Sequence, residues 1–234
     1  MALLGSFLFN IIFYLSLIPV SISIIILYFF LSTKKLQAFG SLWIKFILGL
    51  LRLLCGVTWI VEGKENIPNG PCIIVSNHQG QWESFYLQTL LIPSTSIVKK
   101  ELMYIPFFGW ALRCMKPITL NRANKFSSLK KVINKGVLKL KNGFSVILFP
   151  EGTRISPEKG IQPFANSCGV LASKSGKPIL PICHNSGKYW KNKKFIKSPG
   201  QVLVKIGPPI TGENAKEMTE SAYLWVKNSY KEIC

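Results

Sequence analysis

The chain has 234 residues, enough to bury a sizeable core and few enough for one principal domain. Its 29 Lys and Arg stand against 10 acidic residues, and the net charge of +19 calls for anionic partners: membrane lipid, nucleic acid, or an acidic protein or substrate. All ten acids are Glu, which excludes any mechanism that needs Asp, the Ser-His-Asp triad included, and no Gly-x-Ser-x-Gly occurs.

The first element in chain order is an uncharged stretch over residues 1–33. A bilayer core of ~30 Å is crossed by about 20 helical residues, so this stretch is long enough. It lacks the basic start and the small-x-small ending of a cleaved signal and reads as an uncleaved anchor. Asn10 and Pro19 interrupt it, so a tilted, kinked or re-entrant arrangement competes with one straight span. A second apolar stretch, Ser41 to Val61, carries Lys45 and Arg52 seven residues apart, on one helical face. That spacing suits a helix lying in a membrane interface with its cations at headgroup level; a core helix with two snorkelling cations is the alternative. Lys34, Lys35 and the basic remainder put the body on the cytoplasmic side by the positive-inside tendency. Residues 1–56 therefore read as membrane-anchoring helices and 57–234 as a separate catalytic or binding domain.

Beyond Gly56, short apolar runs alternate with helical patterns. Strands are expected at Thr58–Val61, Cys72–Val75, Ser96–Val98, Ile118–Leu120, Ser145–Phe149, Ile179–Cys183 and Val202–Ile206. Helices are expected at Glu83–Leu91, Phe107–Cys114, Phe126–Leu140, Phe164–Ser173 and Ala215–Lys231. The alternation predicts an α/β fold, a mixed central sheet of about seven strands with flanking helices behind the N-terminal anchor. The six cysteines form no Cys-x-x-Cys pair and are expected to be free thiols in a reducing compartment, with no metal site.

Two strand ends gather polar chemistry. In "CIIVSNHQGQWES" an apolar strand gives way to a turn carrying His78, and a helix begins near Trp82. His78 and Glu83 meet only if the histidine is in the turn and the glutamate in the first helical turn. The carboxylate would then fix one imidazole nitrogen and leave the other as a general base. An ordinary loop histidine is the competing interpretation. In "LFPEGTR", Glu151, Gly152, Thr153 and Arg154 crowd the end of another strand; Gly152 permits close backbone approach and Arg154 offers a fork for phosphate. A tight turn with solvated charges would look the same. "ITLNR" puts Arg122 after a third strand, and the second histidine, His184, follows "ILPIC" as a structural or pocket-lining group.

Taken in order, "NHQGQWE", "NR", "FPEGTR" and "KPILPI" resemble the four blocks of the glycerolipid acyltransferase family, typified by 1-acyl-sn-glycerol-3-phosphate acyltransferases, over about Asn77 to Ile182. The family usually has Asp where this chain has Glu83. The resemblance implies acyl transfer from an acyl thioester, on acyl carrier protein or coenzyme A, to the sn-2 hydroxyl of lysophosphatidic acid, giving phosphatidic acid. It implies no cofactor, and membrane lipid as a partner. His78 and Glu83 would be catalytic; Arg122, Glu151, Gly152, Thr153 and Arg154 would bind the glycerol-phosphate, with Lys100 of "KKEL" and Pro181 as further substrate-binding positions. Another lysophospholipid or lyso-aminolipid acceptor uses similar blocks. A basic membrane-surface protein without catalysis is the non-enzymatic alternative. A nucleic-acid partner is not expected, although "KYWKNKKFIK" (Lys188 to Lys197) interleaves lysines and aromatics as base-stacking segments do.

Overall fold

The computed structural model describes residues 2–121 and 125–234; Arg122 lies outside them. Two long helices open the chain. α1 (Ala2–Leu27) continues through Pro19, and α2 (Thr33–Cys55) starts at an Ser32 cap and stops where Gly56 turns left-handed at φ 65°. The second apolar stretch therefore divides, because the helix ends at Cys55 and Val57 already belongs to strand β1 (Val57–Glu62). Lys45 and Arg52 are exposed on α2 beside Leu42, Phe46 and Leu53. Its opposite side, Ile44, Ile47, Leu48 and Leu51, is buried against the body. Residue 56 thus marks a change of element and not a break in the core.

Six more strands follow: β2 (Ile73–Ser76), β3 (Ser94–Lys99), β4 (Ile118–Leu120), β5 (Ser145–Leu148), β6 (Ile179–His184) and β7 (Gly200–Ile206). With β1 they form one sheet in the order β1-β7-β6-β2-β5-β3-β4, parallel except for β6 against β7. β2, β5 and β6 are buried along their whole length, which is why "IIVS", "SVIL" and "ILPIC" read as unbroken runs with little alternation. The helices α3 (Trp82–Leu90), α4 (Phe108–Cys114), α5 (Lys125–Lys141), α6 (Ser167–Ser175) and α7 (Ala215–Ile233) complete the body.

Side chains alternate across the sheet. Ile74, Ile147, Leu180 and Ile182 face Phe9 of α1, Ile47 and Leu51 of α2, and Trp82 and Leu87 of α3. Ile73, Val75, Val146 and Ile179 face Val132 and Ile133 of α5, Leu171 of α6 and Met218 of α7. The chain leaves β2 through α3 on the first face and leaves β5 through α6 on the second. β2 and β5 are neighbours whose chains leave to opposite faces of the sheet, a topological switch point, and the carboxyl ends at such a point are where α/β sheets bind ligands.

α1 is fastened to this body on one side. Phe9 and Phe13 enter a ring cluster with Trp190 and Phe85, with centroids 5.3 Å apart for Phe9–Trp190 and 5.8 Å for Phe13–Phe85. Behind them lies Lys197, only 2% exposed, whose ammonium donates to Asn10 Oδ1 at 2.6 Å and to the Phe195 carbonyl at 2.9 Å. Its backbone N–H donates to Ser6 Oγ at 2.9 Å. Ser6 and Asn10, the polar residues early in an apolar helix, are thus its docking points. The lysine–aromatic run Lys188 to Lys197 is a strap that holds α1, and Trp190 is buried within it and presents no stacking platform.

Burial pushes the Lys197 ammonium down to about 8. The folded chain therefore binds fewer protons than the unfolded chain between about 8 and the ordinary 10.5, and stability rises with pH across that window. Below it, the buried charge needs Asn10. Asn10→Leu should destabilise the protein by about 1–3 kcal/mol at neutral pH, the cost of a buried polar group that loses a partner. Thermal unfolding in detergent checks this, and the deficit should shrink as the pH is raised above about 8, where Lys197 sheds its proton.

Candidate active site

The turn Asn77-His78-Gln79-Gly80-Gln81 leaves the carboxyl end of β2, and β6 beside it supplies the scaffold. The Asn77 amide donates to the His184 carbonyl at 2.9 Å and accepts from the His184 N–H at 3.1 Å, while His184 Nε2–H donates to the Asn77 carbonyl at 2.9 Å. Gln79 is pinned by its amide to Tyr230 of α7 at 2.7 Å and by the Gly187 N–H at 3.0 Å. Gly80 pairs with Lys191, and a Cβ there would come within 2.5 Å of the Trp190 carbonyl. Only glycine allows this approach of the turn to the strap that holds α1.

Glu83, in the first turn of α3, is fully buried. One carboxylate oxygen accepts from His78 Nδ1 at 2.8 Å and from the N–H groups of Gln79 at 2.8 Å and Gly80 at 2.7 Å; the other accepts from Ser186 Oγ–H at 2.8 Å. Burial alone would raise its pKa. The hydrogen bond from His78, with the two imidazoles and the Gly80 amide behind it, outweighs burial and holds the carboxyl well below the usual range. An ionised carboxylate only accepts, so the His78 proton is on Nδ1 and Nε2 carries the free lone pair. The ring stacks on Phe149 at 4.0 Å and remains 16% exposed. Here is a base held in one tautomer, with an open face.

The turn after β5 grips the same loop. Glu151 accepts the His78 N–H at 2.8 Å with one oxygen and the Gln162 N–H at 3.2 Å with the other, and the Ile155 N–H donates to the His78 carbonyl at 2.7 Å. Burial pushes the Glu151 carboxyl up to about 7; the two amide bonds oppose this and the Glu83 charge adds to it. Both its oxygens are committed to backbone, so it supports His78 in place of facing outward, as a ligand-binding carboxylate would. Gly152 turns at φ 72°, and Thr153 and Arg154 are exposed beyond it. Arg154 Nη1 donates to Asn192 of the strap at 3.2 Å.

β2, β5 and β3 run parallel, so His78, Arg154 and Lys100 all leave the sheet at one edge, Lys100 exposed at the start of a 3-10 turn over Lys100–Tyr104. Pro181 does not join them. It is buried within β6 opposite Val75, and its carbonyl accepts from Gly207 N–H at 2.9 Å, so its missing N–H also faces the β7 side and costs no bond to β2. His184 is buried and fully partnered, and burial pushes its imidazole down, with the Glu83 charge opposing. It is a neutral structural group. Sequence patterns did not point to Ser186 or to the task of Asn77, because both depend on β6 lying next to β2. "HNSG" after the "ILPIC" strand is the only local signal. Among the described residues no group of His, Cys or Glu is arranged to hold a metal ion.

The chain is similar in sequence and fold to known proteins. The Acyltransferase family model matches residues 59–185, just over half of the chain. A 1-acyl-sn-glycerol-3-phosphate acyltransferase of Pseudomonas aeruginosa is 40% identical over 196 residues, covering 82% of this chain and 76% of that protein. One from Saccharomyces cerevisiae is 30% identical over 169 residues, covering 70% and 55%. The crystal structure of the 1-acyl-sn-glycerophosphate acyltransferase of Thermotoga maritima superimposes with a TM-score of 0.81 at 25% identity, over 97% of this chain and 94% of that one. With the family model over more than half of its length and a relative 40% identical, the chain belongs to the acyltransferase family.

Proposed function

We propose that the protein transfers a fatty acyl group from an acyl thioester to the sn-2 hydroxyl of 1-acyl-glycerol-3-phosphate, forming phosphatidic acid for phospholipid synthesis. One observation carries this reading: His78 Nδ1 bound to a buried, ionised Glu83 at 2.8 Å, at the carboxyl ends of β2 and β5. The names of the relatives supply the substrate. In the reaction, His78 Nε2 takes the hydroxyl proton as the oxygen attacks the thioester carbonyl. Glu83 stabilises the imidazolium. The C–S bond then breaks, the thiol leaves with the proton from His78, and no acyl-enzyme forms.

Arg154 and Lys100 would hold the phosphate, with Gly152 and Thr153 supplying close backbone and a hydroxyl. Arg122 belongs to the same set by its sequence block. Glu151, on this reading, acts by holding the His78 loop. The donor is acyl carrier protein or a coenzyme A thioester; the eleven cations and one acid between Lys99 and Lys141 favour either anionic carrier. No cofactor is needed. The apolar outer face of α1, with Leu4, Phe7, Ile11, Leu15 and Ile18 exposed, supports membrane attachment, and the basic body supports a cytoplasmic orientation. Acyl transfer by purified membranes, offered both donors and a panel of lyso-acceptors, tests the assignment. Acylation of a different lyso-lipid in preference to lysophosphatidic acid would overturn it.

His78→Ala should lower turnover by ~10²–10⁴ with membrane partition unchanged and a stability loss limited to about 1.5–3 kcal/mol for the lost ring bond to Glu83, since the loop is still held by the His78 backbone. A variant keeping half of wild-type turnover would remove His78 as the base. Glu83→Gln should lose most activity, because an amide cannot balance the imidazolium and its NH₂ would meet one of four donors. Glu83→Asp, the residue common in the family, should retain a substantial fraction. If Glu83 served only the helix dipole, worth ~0.3–1 kcal/mol, both changes would be mild. Arg154→Lys keeps the charge and loses the fork, so the KM for lysophosphatidic acid should rise more than the KM for the donor. Equal rises would rule out a phosphate clamp.

A further inference from the structure

The segment from Lys100 to Cys114, which leaves β3 at the edge that carries His78, exposes a run of apolar side chains between the charged Lys100 and Glu101 at its start and Arg113 near its end. Tyr104 is 62% and Trp110 46% exposed, with Ile105 and Phe107 open between them. The backbone is held in this shape at a cost. Phe107 has φ 58°, rare for an aromatic residue, and Gly109 packs so closely on the preceding turn that a Cβ would lie 2.6 Å from the Leu102 and Met103 carbonyl oxygens. No core is gained by turning these rings outward.

The inner side of the segment identifies its surroundings. Ala111, Cys114 and Met115 pack on Ile24 and Leu27 of α1 and on Leu36 and Phe39 of α2. At that end of the helix pair, Phe29 and Phe30 are 77% and 79% exposed, so two aromatic patches adjoin. Cations edge them: the Arg113 guanidinium is 5.7 Å from the Tyr104 ring, Lys116 Nζ is 5.6 Å from the Tyr28 ring, and Lys34 and Lys35 follow Phe30. Aromatic rings with lysines at their border, continuous with a helix of membrane-crossing length and exposed apolar face, match a bilayer interface. Protein interfaces are depleted in lysine, which argues against a second copy as the occupant.

We infer that Lys100–Cys114 is a membrane-docking wedge that inserts Tyr104, Ile105, Phe107 and Trp110 into an anionic lipid surface beside the active site. This rests on the acyl-transfer reading above. The wedge holds the carboxyl edge of the sheet at headgroup level, so a lysolipid reaches His78 while its chain stays in the bilayer.

The full-length protein in phosphatidylglycerol–phosphatidylethanolamine vesicles with brominated acyl chains tests this through tryptophan fluorescence. Subtracting the Trp110→Phe signal from wild type isolates one of six tryptophans, and that difference should be quenched by the lipid bromine. Trp110→Glu should cut the rate on long-chain lysophosphatidic acid in vesicles by about tenfold, given the cost of a charge at a lipid contact, while a short-chain, water-soluble analogue should react within about twofold of wild type. An unquenched Trp110, an equal fall on both substrates, or a detergent-soluble dimer that Trp110→Glu dissociates would each overturn the wedge. If wild type acylated neither substrate, the acyl-transfer reading would fail, and quenching would still decide the docking.

Discussion

The Glu83 carboxylate is the constraint on which the site depends. A fully buried carboxylate left unpartnered would cost several kcal/mol, and here four donors from three places meet it. Two are backbone amides of its own turn, one is the His78 ring, and one is Ser186 beyond β6. Each charge-assisted bond is worth about 1.5–3 kcal/mol, so the turn, the strand end and the histidine stabilise one another through a single charge. The charge must be buried to do this. In water its attraction for an imidazolium would be worth about 1 kcal/mol at 4 Å, too little to fix a tautomer or favour proton transfer.

The two histidines show how the same side chain is divided between tasks. His78 keeps its proton on Nδ1 because an ionised acceptor faces that nitrogen, and Nε2 is left with its lone pair. His184 keeps its proton on Nε2 because the Asn77 carbonyl faces it, and its Nδ1 accepts from the Ser186 N–H at 3.3 Å. The Ser186 hydroxyl then reaches Glu83. A second charged imidazole here would compete for the same carboxylate. Burial keeps His184 neutral and reserves Glu83 for His78.

Most elements were legible because their signals are local. The seven strands fall where apolar runs end in turn residues, and His78–Glu83 was readable because both partners lie within six residues. What was not legible depends on strand order. Ser186 meets Glu83 across 103 residues, and only the placement of β6 beside β2 brings them together. Lys197 looked like one of many surface lysines and is buried against Asn10, 187 residues earlier. α2 was legible in part: its cations Lys45 and Arg52 mark an exposed face, but which of its apolar side chains meet protein is decided by the sheet it packs on, which buries Ile44, Ile47, Leu48 and Leu51 and leaves Leu42, Phe46 and Leu53 exposed. Pro181 carried a family position, and its place inside the apolar run of β6 is what buries it.

The large positive charge does less than its size implies. At physiological ionic strength a charge is screened beyond ~8 Å, so most of the 29 cations cannot act on a substrate at His78. The lysines also divide by face. Those of α5 lie over the sheet face opposite α1 and α2, whereas Lys34, Lys35, Lys45 and Arg52 border the apolar helices. The net charge therefore serves to gather anionic molecules near the surface, and a few local cations choose among them. Arginine is used sparingly, at four positions in the chain, and Arg154, after β5, is bonded to the strap. The fork of Arg154 is positioned by Asn192, the strap that carries Asn192 holds α1 through Lys197, and α1 carries the apolar face. The same ten residues, Lys188 to Lys197, thus fix both the Arg154 side chain and the docking of α1, so the turn after β5 and the apolar helix are held by one segment.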